Sequence, residues 1–295
     1  MIEFDAPGAA TTVSSACGSY CGTFAYANND EGTVVGTFTD EYVVPHGFLR
    51  SSDGQFVIFD APGAGLGQGL DEGTVPYTIN DYGVVAGQYQ DRNLRFHAFI
   101  RYPDGTEFDP PGSVGTIVCE ETCLNAEGSA VGFYIDANAT IHGFLRLSSG
   151  AITVIDAPGA GTGNYTGTVA ASITEDGEIG GYFVDSNGVY HGFVLQCDGR
   201  FASFEVPPAY LGAGAGTAPF AIDIWGVTTG IYIDSSSVEH GFSRTSRGHV
   251  ATFDAPGAGS GAGQGTRPST NNIAGDVAGW YVDSTGLNHG FVWKP

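Results

Sequence analysis

One skeleton constrains this chain more than any other feature: Gly-x-aromatic-x-Asp, five free residues, then His-[Gly/Ala]-Phe. It occurs six times. The fourth copy runs Gly181-Tyr-Phe-Val-Asp185, then His191-Gly-Phe193. The Asp/His pairs are Asp40/His46, Asp91/His97, Asp136/His142, Asp185/His191, Asp234/His240 and Asp283/His289, always six apart. Six of the 7 histidines occupy this position. Self-similarity at a fixed period means an array of supersecondary units that bury their faces against one another.

A second motif alternates with the first. It reads Phe4-Asp-Ala-Pro-Gly-Ala9, Phe59-Asp-Ala-Pro-Gly-Ala64, Phe108-Asp-Pro-Pro-Gly112, Ile155-Asp-Ala-Pro-Gly-Ala160, Phe204-Glu-Val-Pro-Pro208 and Phe253-Asp-Ala-Pro-Gly-Ala258. Its acidic residues stand 55, 49, 47, 49 and 49 apart. A period in the forties with strand-like content predicts propeller blades. The second repeat parses into strands over 74–80, 84–90, 97–101 and 106–109, joined by turns such as 103–105. The Gly/Pro-rich stretch 110–118 then suits a crossover to the next blade. No apolar run keeps a 3.6-residue period, so no helix is expected. The fold class predicted is all-β: a six-bladed β-propeller of four-stranded antiparallel blades, one domain over residues 1–295. Residues 2–5 read as a fourth strand without its first three, and 289–293 as a third strand without a fourth. The N-terminal strand is therefore expected to complete the last blade and close the ring, which removes an exposed edge. A linear solenoid is the alternative; it would leave both terminal repeats uncapped.

The alternating Asp-Ala-Pro-Gly-Ala and His-[Gly/Ala]-Phe units resemble the bacterial extracellular repeat family named for its His-Ala-Phe motif, the HAF repeat. That motif stands literally at His97-Ala98-Phe99, and the other five copies read His-Gly-Phe. The resemblance covers essentially the whole chain. It implies a secreted or cell-surface bacterial protein and brings no established chemistry, so it transfers no catalytic residue.

Charge narrows the partners. Lys+Arg is 10 against Asp+Glu 32, a net charge of -22. Such a surface repels phosphate backbones and anionic lipid, which argues against nucleic acid. No run of about 18 apolar residues is present to span a membrane. No signal peptide precedes the first repeat, so an exported protein would be present here as its mature domain. A monomer is expected. Among the 5 cysteines, Cys17 and Cys21 share a loop. Cys119 and Cys123, read as one strand, would lie roughly 13 Å apart, too far for a direct bridge. Cys197 is left over. One or two disulfides in an oxidising compartment is the reading, with buried thiols the alternative. A four-cysteine zinc site is weak because neither pair has CxxC spacing.

Six identical Asp/His pairs argue for a structural latch in each blade, since a carboxylate beside an imidazole can fix its tautomer and tie a loop end to a strand end. The Asp-Ala-Pro-Gly-Ala loops are turn chemistry. No motif specifies a cofactor. Calcium is possible, although one carboxylate per loop falls short of the about six to eight oxygens it takes. Arg50, Arg101, Arg146 and Arg244 recur four residues after the His, with Leu195 and Trp293 in their place in blades four and six. Salt bridges to the adjacent fourth strand are expected of them.

Function is sought where one copy departs from the others. Aligned without gaps, the innermost strands start at Thr23, Thr74, Cys119, Thr168, Thr217 and Thr266. The next position reads Phe24, Val75, Glu120, Val169, Ala218 and Arg267. Blades three and six would face each other across the axis, bringing Glu120, Glu121 and Arg267 to the channel mouth as catalytic candidates. Two carboxylates near a cation can do acid–base work or grip a sugar; they can equally form an ion pair that plugs the channel. Tyr20, Asp71, Glu72, Tyr165 and Tyr210 complete the candidate binding rim. The reading is a secreted or cell-surface binding or structural module, for carbohydrate or another extracellular polymer. The alternative is a single-site enzyme at the channel mouth, of glycoside hydrolase, polysaccharide lyase or lactonase type. The 3 Trp (Trp225, Trp280, Trp293) share no repeat position, unlike a lectin with a site per blade.

Overall fold

The computed structural model describes residues 2–12, 21–67, 72–102, 106–110, 112–118, 122–207, 209 and 211–295. Every regular element among them is a strand. The chain divides into two compact units, 1–130 and 131–295.

In the first unit, β1 (Gly22–Asn28), β2 (Val34–Thr39), β3 (Pro45–Arg50) and β4 (Phe56–Phe59) form one four-stranded antiparallel sheet in sequence order. A second such sheet follows: β5 (Gly73–Ile79), β6 (Val85–Gln90), β7 (Phe96–Arg101) and β8 (Thr106–Phe108). These match the strands read from the sequence to within a residue or two. β9 (Gly115–Val118) closes the unit. The two sheets share a core of Val35, Ala61, Ile79, Val85, Tyr89 and Phe99. The Thr37 hydroxyl donates to the Thr74 carbonyl at 3.2 Å, and the Asn29 amide to the Asn80 carbonyl at 3.2 Å, so polar as well as apolar contacts cross between repeats.

The second unit opens with β10 (Ala130–Ile135), β11 (Ile141–Arg146) and β12 (Ile152–Ile155). Two complete four-stranded repeats follow, β13 (Gly167–Ile173) to β14 (Ile179–Val184), β15 (Tyr190–Leu195) and β16 (Phe201–Phe204), then β17 (Gly216–Ile222), β18 (Thr228–Ile233), β19 (Glu239–Arg244) and β20 (Val250–Phe253). Last come β21 (Gly265–Asn271), β22 (Val277–Val282) and β23 (Asn288–Trp293). Each third strand touches the next first strand through one parallel bridge: Ile141 with Gly167, Tyr190 with Gly216, Glu239 with Gly265. Only glycine fits there. Its φ is +134°, +128° and +122°, and a Cβ would stand 1.9, 2.0 and 1.9 Å from the carbonyl oxygen of the bridging partner.

The Phe of the first five His-[Gly/Ala]-Phe units plugs its repeat. Phe48, Phe144, Phe193 and Phe242 are fully buried and Phe99 nearly so. Every fully paired first strand also carries a bulge, which sets Tyr26, Tyr77, Ala171, Phe220 and Ser269 out of register. A bulge re-aims the side chain it displaces. In the first unit it stacks Tyr26 on Tyr77, edge to face, at 5.6 Å.

Three sequence expectations differ from the structure. Residues 2–6 form no strand; Phe4 packs against Phe48, Phe56 and Arg50 instead of entering a ladder. Among the described residues β23 pairs with β22 alone. Arg50, Arg101 and Arg244 form no salt bridge among the described residues and instead lie over the rings of Phe4, Phe59 and Phe204 at 4.8, 4.8 and 4.3 Å. Each ring belongs to the residue just before the preceding motif acid. A planar, weakly hydrated guanidinium is suited to that face. Trp293 takes the same role on Phe253, parallel at 4.4 Å.

Candidate functional site

The repeated motifs form one hydrogen-bonded unit. In each β2–β3-type loop the skeleton Asp uses Oδ1 to accept two backbone amides, two and four residues on; Asp185 takes those of Asn187 and Val189 at 2.8 and 2.9 Å. Its Oδ2 faces the His. The Nε2 atoms of His46, His97, His142, His191 and His240 lie 3.5, 3.4, 3.7, 3.6 and 3.6 Å from Asp40, Asp91, Asp136, Asp185 and Asp234. The aromatic residue of the skeleton stacks on the same imidazole, from Phe38 on His46 at 5.2 Å to Tyr281 on His289 at 4.9 Å.

The spacing of six misses a second carboxylate. Nδ1 of each of these histidines is held by the acid of the following Asp-Ala-Pro-Gly motif: His46 by Asp60 at 2.9 Å, His97 by Asp109 at 2.6 Å, His142 by Asp156 at 2.8 Å, His240 by Asp254 at 2.9 Å, and His191 by Glu205. The β3–β4 hairpin register sets this up, since pairing Gly47 with Phe59 puts His46 opposite Asp60. The sixth copy differs. His289 bonds Asp283 at 3.2 Å and is 43% exposed.

In five of the six motifs the residue after the acid then reaches into the next repeat. The amides of Ala6, Ala61, Ala157, Val206 and Ala255 donate to the hydroxyls of Thr23, Thr74, Thr168, Thr217 and Thr266 at 2.8 to 3.0 Å. The acid thus holds its own His while its neighbour holds the following strand.

Electrostatics follow the geometry. The bond to Asp60 raises the pKa of His46 above 6.5, against burial and with help from Asp40. Burial works against the Asp91 carboxylate, yet the amides of Arg95 and Asn93, the Asn93 side chain and His97 hold it down to about 2.

The third repeat departs from the gapless alignment. Its first strand is β9, and Thr116, fully buried, holds the place assigned to Cys119. Thr116 stands 16 residues before Gly132, where Thr74 stands 13 before Gly87, so the extra residues fall inside this strand-to-strand connection. The position beside Arg267 in the other repeats is then Ile117, not Glu120. Glu120, Glu121, Tyr20, Asp71 and Tyr210 lie outside the described residues, as do Cys17 and Cys119. Glu72 does not face a rim: it is 3% exposed, and its carboxylate accepts the Gly67 amide at 2.8 Å inside its own loop. Tyr165 is 67% exposed on the loop before β13. Cys21 is disulfide-bonded, Cys123 is fully buried, and Cys197 is an exposed free thiol.

Arg267 is the sequence candidate around which the second unit gathers other side chains. Its Nη1 donates to Glu239 at 2.9 Å. Its guanidinium lies over Phe220 at 4.9 Å and Trp280 at 5.6 Å. Phe220 is the bulge residue of β17, and its ring meets Tyr182 edge to face at 6.3 Å; Tyr182 lies 5.6 Å from Tyr190. Burial, with Tyr190 beside it and Arg267 opposing, pushes the Tyr182 phenol up to about 12. Trp280 remains 36% exposed. Sequence reasoning missed the other five residues, although two repeat columns carry the signal for all of them but Phe220. The residue before the His reads Pro45, Phe96, Ile141, Tyr190, Glu239 and Asn288; the residue after the skeleton Gly reads Thr37, Gln88, Phe133, Tyr182, Ile231 and Trp280. The result is one cation walled by aromatic rings, with a carboxylate beside it and a partly open tryptophan.

No protein-family model matches the chain, and no curated protein matches it. Among solved structures it is similar to virginiamycin B lyase from Staphylococcus aureus, at 14% identity over 90% of this chain and 83% of that one, TM-score 0.46. It is similar to a triple arginine-to-alanine mutant of AofleA from Arthrobotrys oligospora, at 12% identity over 92% and 82%, TM-score 0.49. It is also similar to an acylaminoacyl peptidase from Pyrococcus horikoshii, at 10% identity over 92% and 51%, TM-score 0.44. The first two are β-propeller-type proteins.

Proposed function

We propose that this chain is a carbohydrate-binding module of the secreted or cell-surface HAF-repeat type, built as a six-bladed propeller, with its saccharide site at Arg267. The carrying observation is the Arg267 cluster. Saccharides present apolar C–H faces and hydroxyls together. Trp280, Phe220 and the tyrosines offer stacking faces for the first. The guanidinium, with one of its five donors engaged by Glu239, and the carboxylate itself serve the second. A few polar groups fixed among aromatic walls are the usual composition of a small-molecule site. The carboxylate–imidazole latches do not use these side chains, so their arrangement is not accounted for by the latches. The propeller reading rests on the six repeats and on the motif pattern, in which Asp5 is the carboxylate that would hold His289 and close the ring.

The test is a titration with soluble polysaccharides and their oligosaccharides, followed by tryptophan fluorescence in a Trp225→Phe, Trp293→Phe background that leaves Trp280 as the reporter. Saturable quenching that is lost in Arg267→Ala, with unfolding unchanged, is the expected result. Release of new sugar ends in the same samples would move the reading to a glycan-cleaving enzyme. A flat response across the panel would sink the carbohydrate reading.

A further inference from the structure

The first repeat carries a cavity of about 690 Å³ that the Arg267 site does not involve. It lies between residues 8–12 and the β2–β3 loop, over the imidazole of His46, with Phe38 and Ile58 as its apolar walls. Asp40, Glu41 and Asp60 supply three carboxylates, and among the described residues no Lys or Arg lines it. One imidazole, even protonated, offsets one of those charges. The space is of the size that holds a small organic ligand.

The loop that makes this cavity is the repeat's own departure. After the skeleton Asp, the six copies read Glu41-Tyr42, Arg92-Asn93, Ala137-Asn138, Ser186-Asn187, Ser235-Ser236 and Ser284-Thr285. Only the first combines an acid with an aromatic ring. In the second, third and fourth repeats the Asn side chain donates to Oδ2 of its Asp, at 3.2, 3.3 and 3.2 Å. Tyr42 replaces that Asn. Asp40 keeps both amide bonds to Oδ1, from Tyr42 and Val44 at 2.9 Å each. Among the described residues its Oδ2 has His46 Nε2 as its one neighbour, at 3.5 Å, which leaves a second lone pair open. Tyr42 itself is 51% exposed and lines the cavity.

We propose that this cavity is a binding site for a primary ammonium group carried on a compact apolar body. The N–H donors reach Asp40 Oδ2, where the missing Asn leaves an acceptor, and Glu41 and Asp60 hold the charge. The Tyr42 face takes the cation and the body attached to it, an arrangement that gains when both are partly desolvated. An anion is repelled by the lining. A neutral polyol finds acceptors there but leaves the charge unbalanced.

Calorimetry with cyclohexylamine and cyclohexanol at pH 7 tests this, because the two share a ring and differ in the charged group. Saturable binding of the amine, at least tenfold tighter than the alcohol, is expected. Tyr42→Ala and Glu41→Gln, both at exposed positions outside the core, should each weaken the amine at least threefold with an unchanged unfolding midpoint. Arg267→Ala should leave amine binding intact, which separates this site from the carbohydrate reading. Equal binding of amine and alcohol, no binding of either, or amine binding indifferent to Tyr42→Ala would each overturn the proposal.

Discussion

A neutral imidazole carries one N–H, yet His46 stands between two carboxylates. Only the imidazolium can donate from Nδ1 to Asp60 and from Nε2 toward Asp40. That is the physical content of its raised pKa, for which the bond to Asp60 is the leading cause. The sign of the linkage follows. A folded-state pKa above the unfolded value of 6.5 means the stabilisation is complete below 6.5 and is lost as pH rises through the folded value. The melting temperature of the wild-type protein should therefore fall between pH 6 and pH 8 more steeply than that of His46→Gln. Thermal unfolding of the two proteins across that range measures the difference, and parallel curves would show that His46 contributes nothing to the pH dependence. Asp91 runs the opposite way: its carboxylate, held at about 2 against an ordinary 3.8, contributes above 3.8 and loses that contribution as the solution is acidified.

Between elements, the stitching is done by a turn amide and a threonine hydroxyl, and the third repeat provides a natural control. The buried Ala157 amide donates to Thr168. In Thr168→Val that donor loses its partner, at a cost of about 1–3 kcal/mol. In the third motif the equivalent residue is Pro110, which has no N–H, and the Thr116 hydroxyl is buried without a partner among the described residues. Thr116→Val replaces an unsatisfied hydroxyl by a methyl of similar shape, so it should be neutral or stabilising. Urea unfolding midpoints for the two variants check this; equal losses would mean that the bond from the Ala157 amide is not what the Thr168 hydroxyl contributes. The same junction marks the limit of what could be read in advance. Strand positions were legible because Gly-x-aromatic and His-Gly-Phe recur at fixed spacing and alternate with turn residues. The first strand of repeat three was not, because its extra residues break the column just where Cys119, Glu120 and Glu121 attract attention. The second carboxylate on five of the histidines was hidden for another reason: it is 12 to 14 residues away in sequence and adjacent only through the hairpin register. Arg267 was legible as a break in symmetry. Its surroundings required knowing that a bulge presents Phe220 and that β19 brings Glu239 alongside.

At the level of the whole molecule, six copies of one motif supply five complete carboxylate–imidazole–carboxylate sets among the described residues. Among the described residues the sixth histidine, His289, contacts Asp283 and no second acid. Asp5 is a motif acid with no histidine against it among the described residues, and it precedes the first repeat as Asp254 precedes the sixth. A closed six-bladed ring would let Asp5 hold His289 as Asp60 holds His46. An open array would leave both without that partner. These alternatives differ in an energy that can be measured without locating either residue. In a double-mutant cycle, groups in contact show a coupling term of about 0.5–3 kcal/mol, whereas distant groups add independently. Asp5→Asn and His289→Gln should therefore couple by about as much as Asp156→Asn and His142→Gln, a pair in direct contact at 2.8 Å. Chemical denaturation of the four proteins in each cycle reads both terms under the same conditions. If the internal pair couples and the Asp5/His289 pair is additive, the ring is open in solution and the solenoid becomes the better description. Coupling of both would mean that the latch within each repeat also fastens the two ends of the chain.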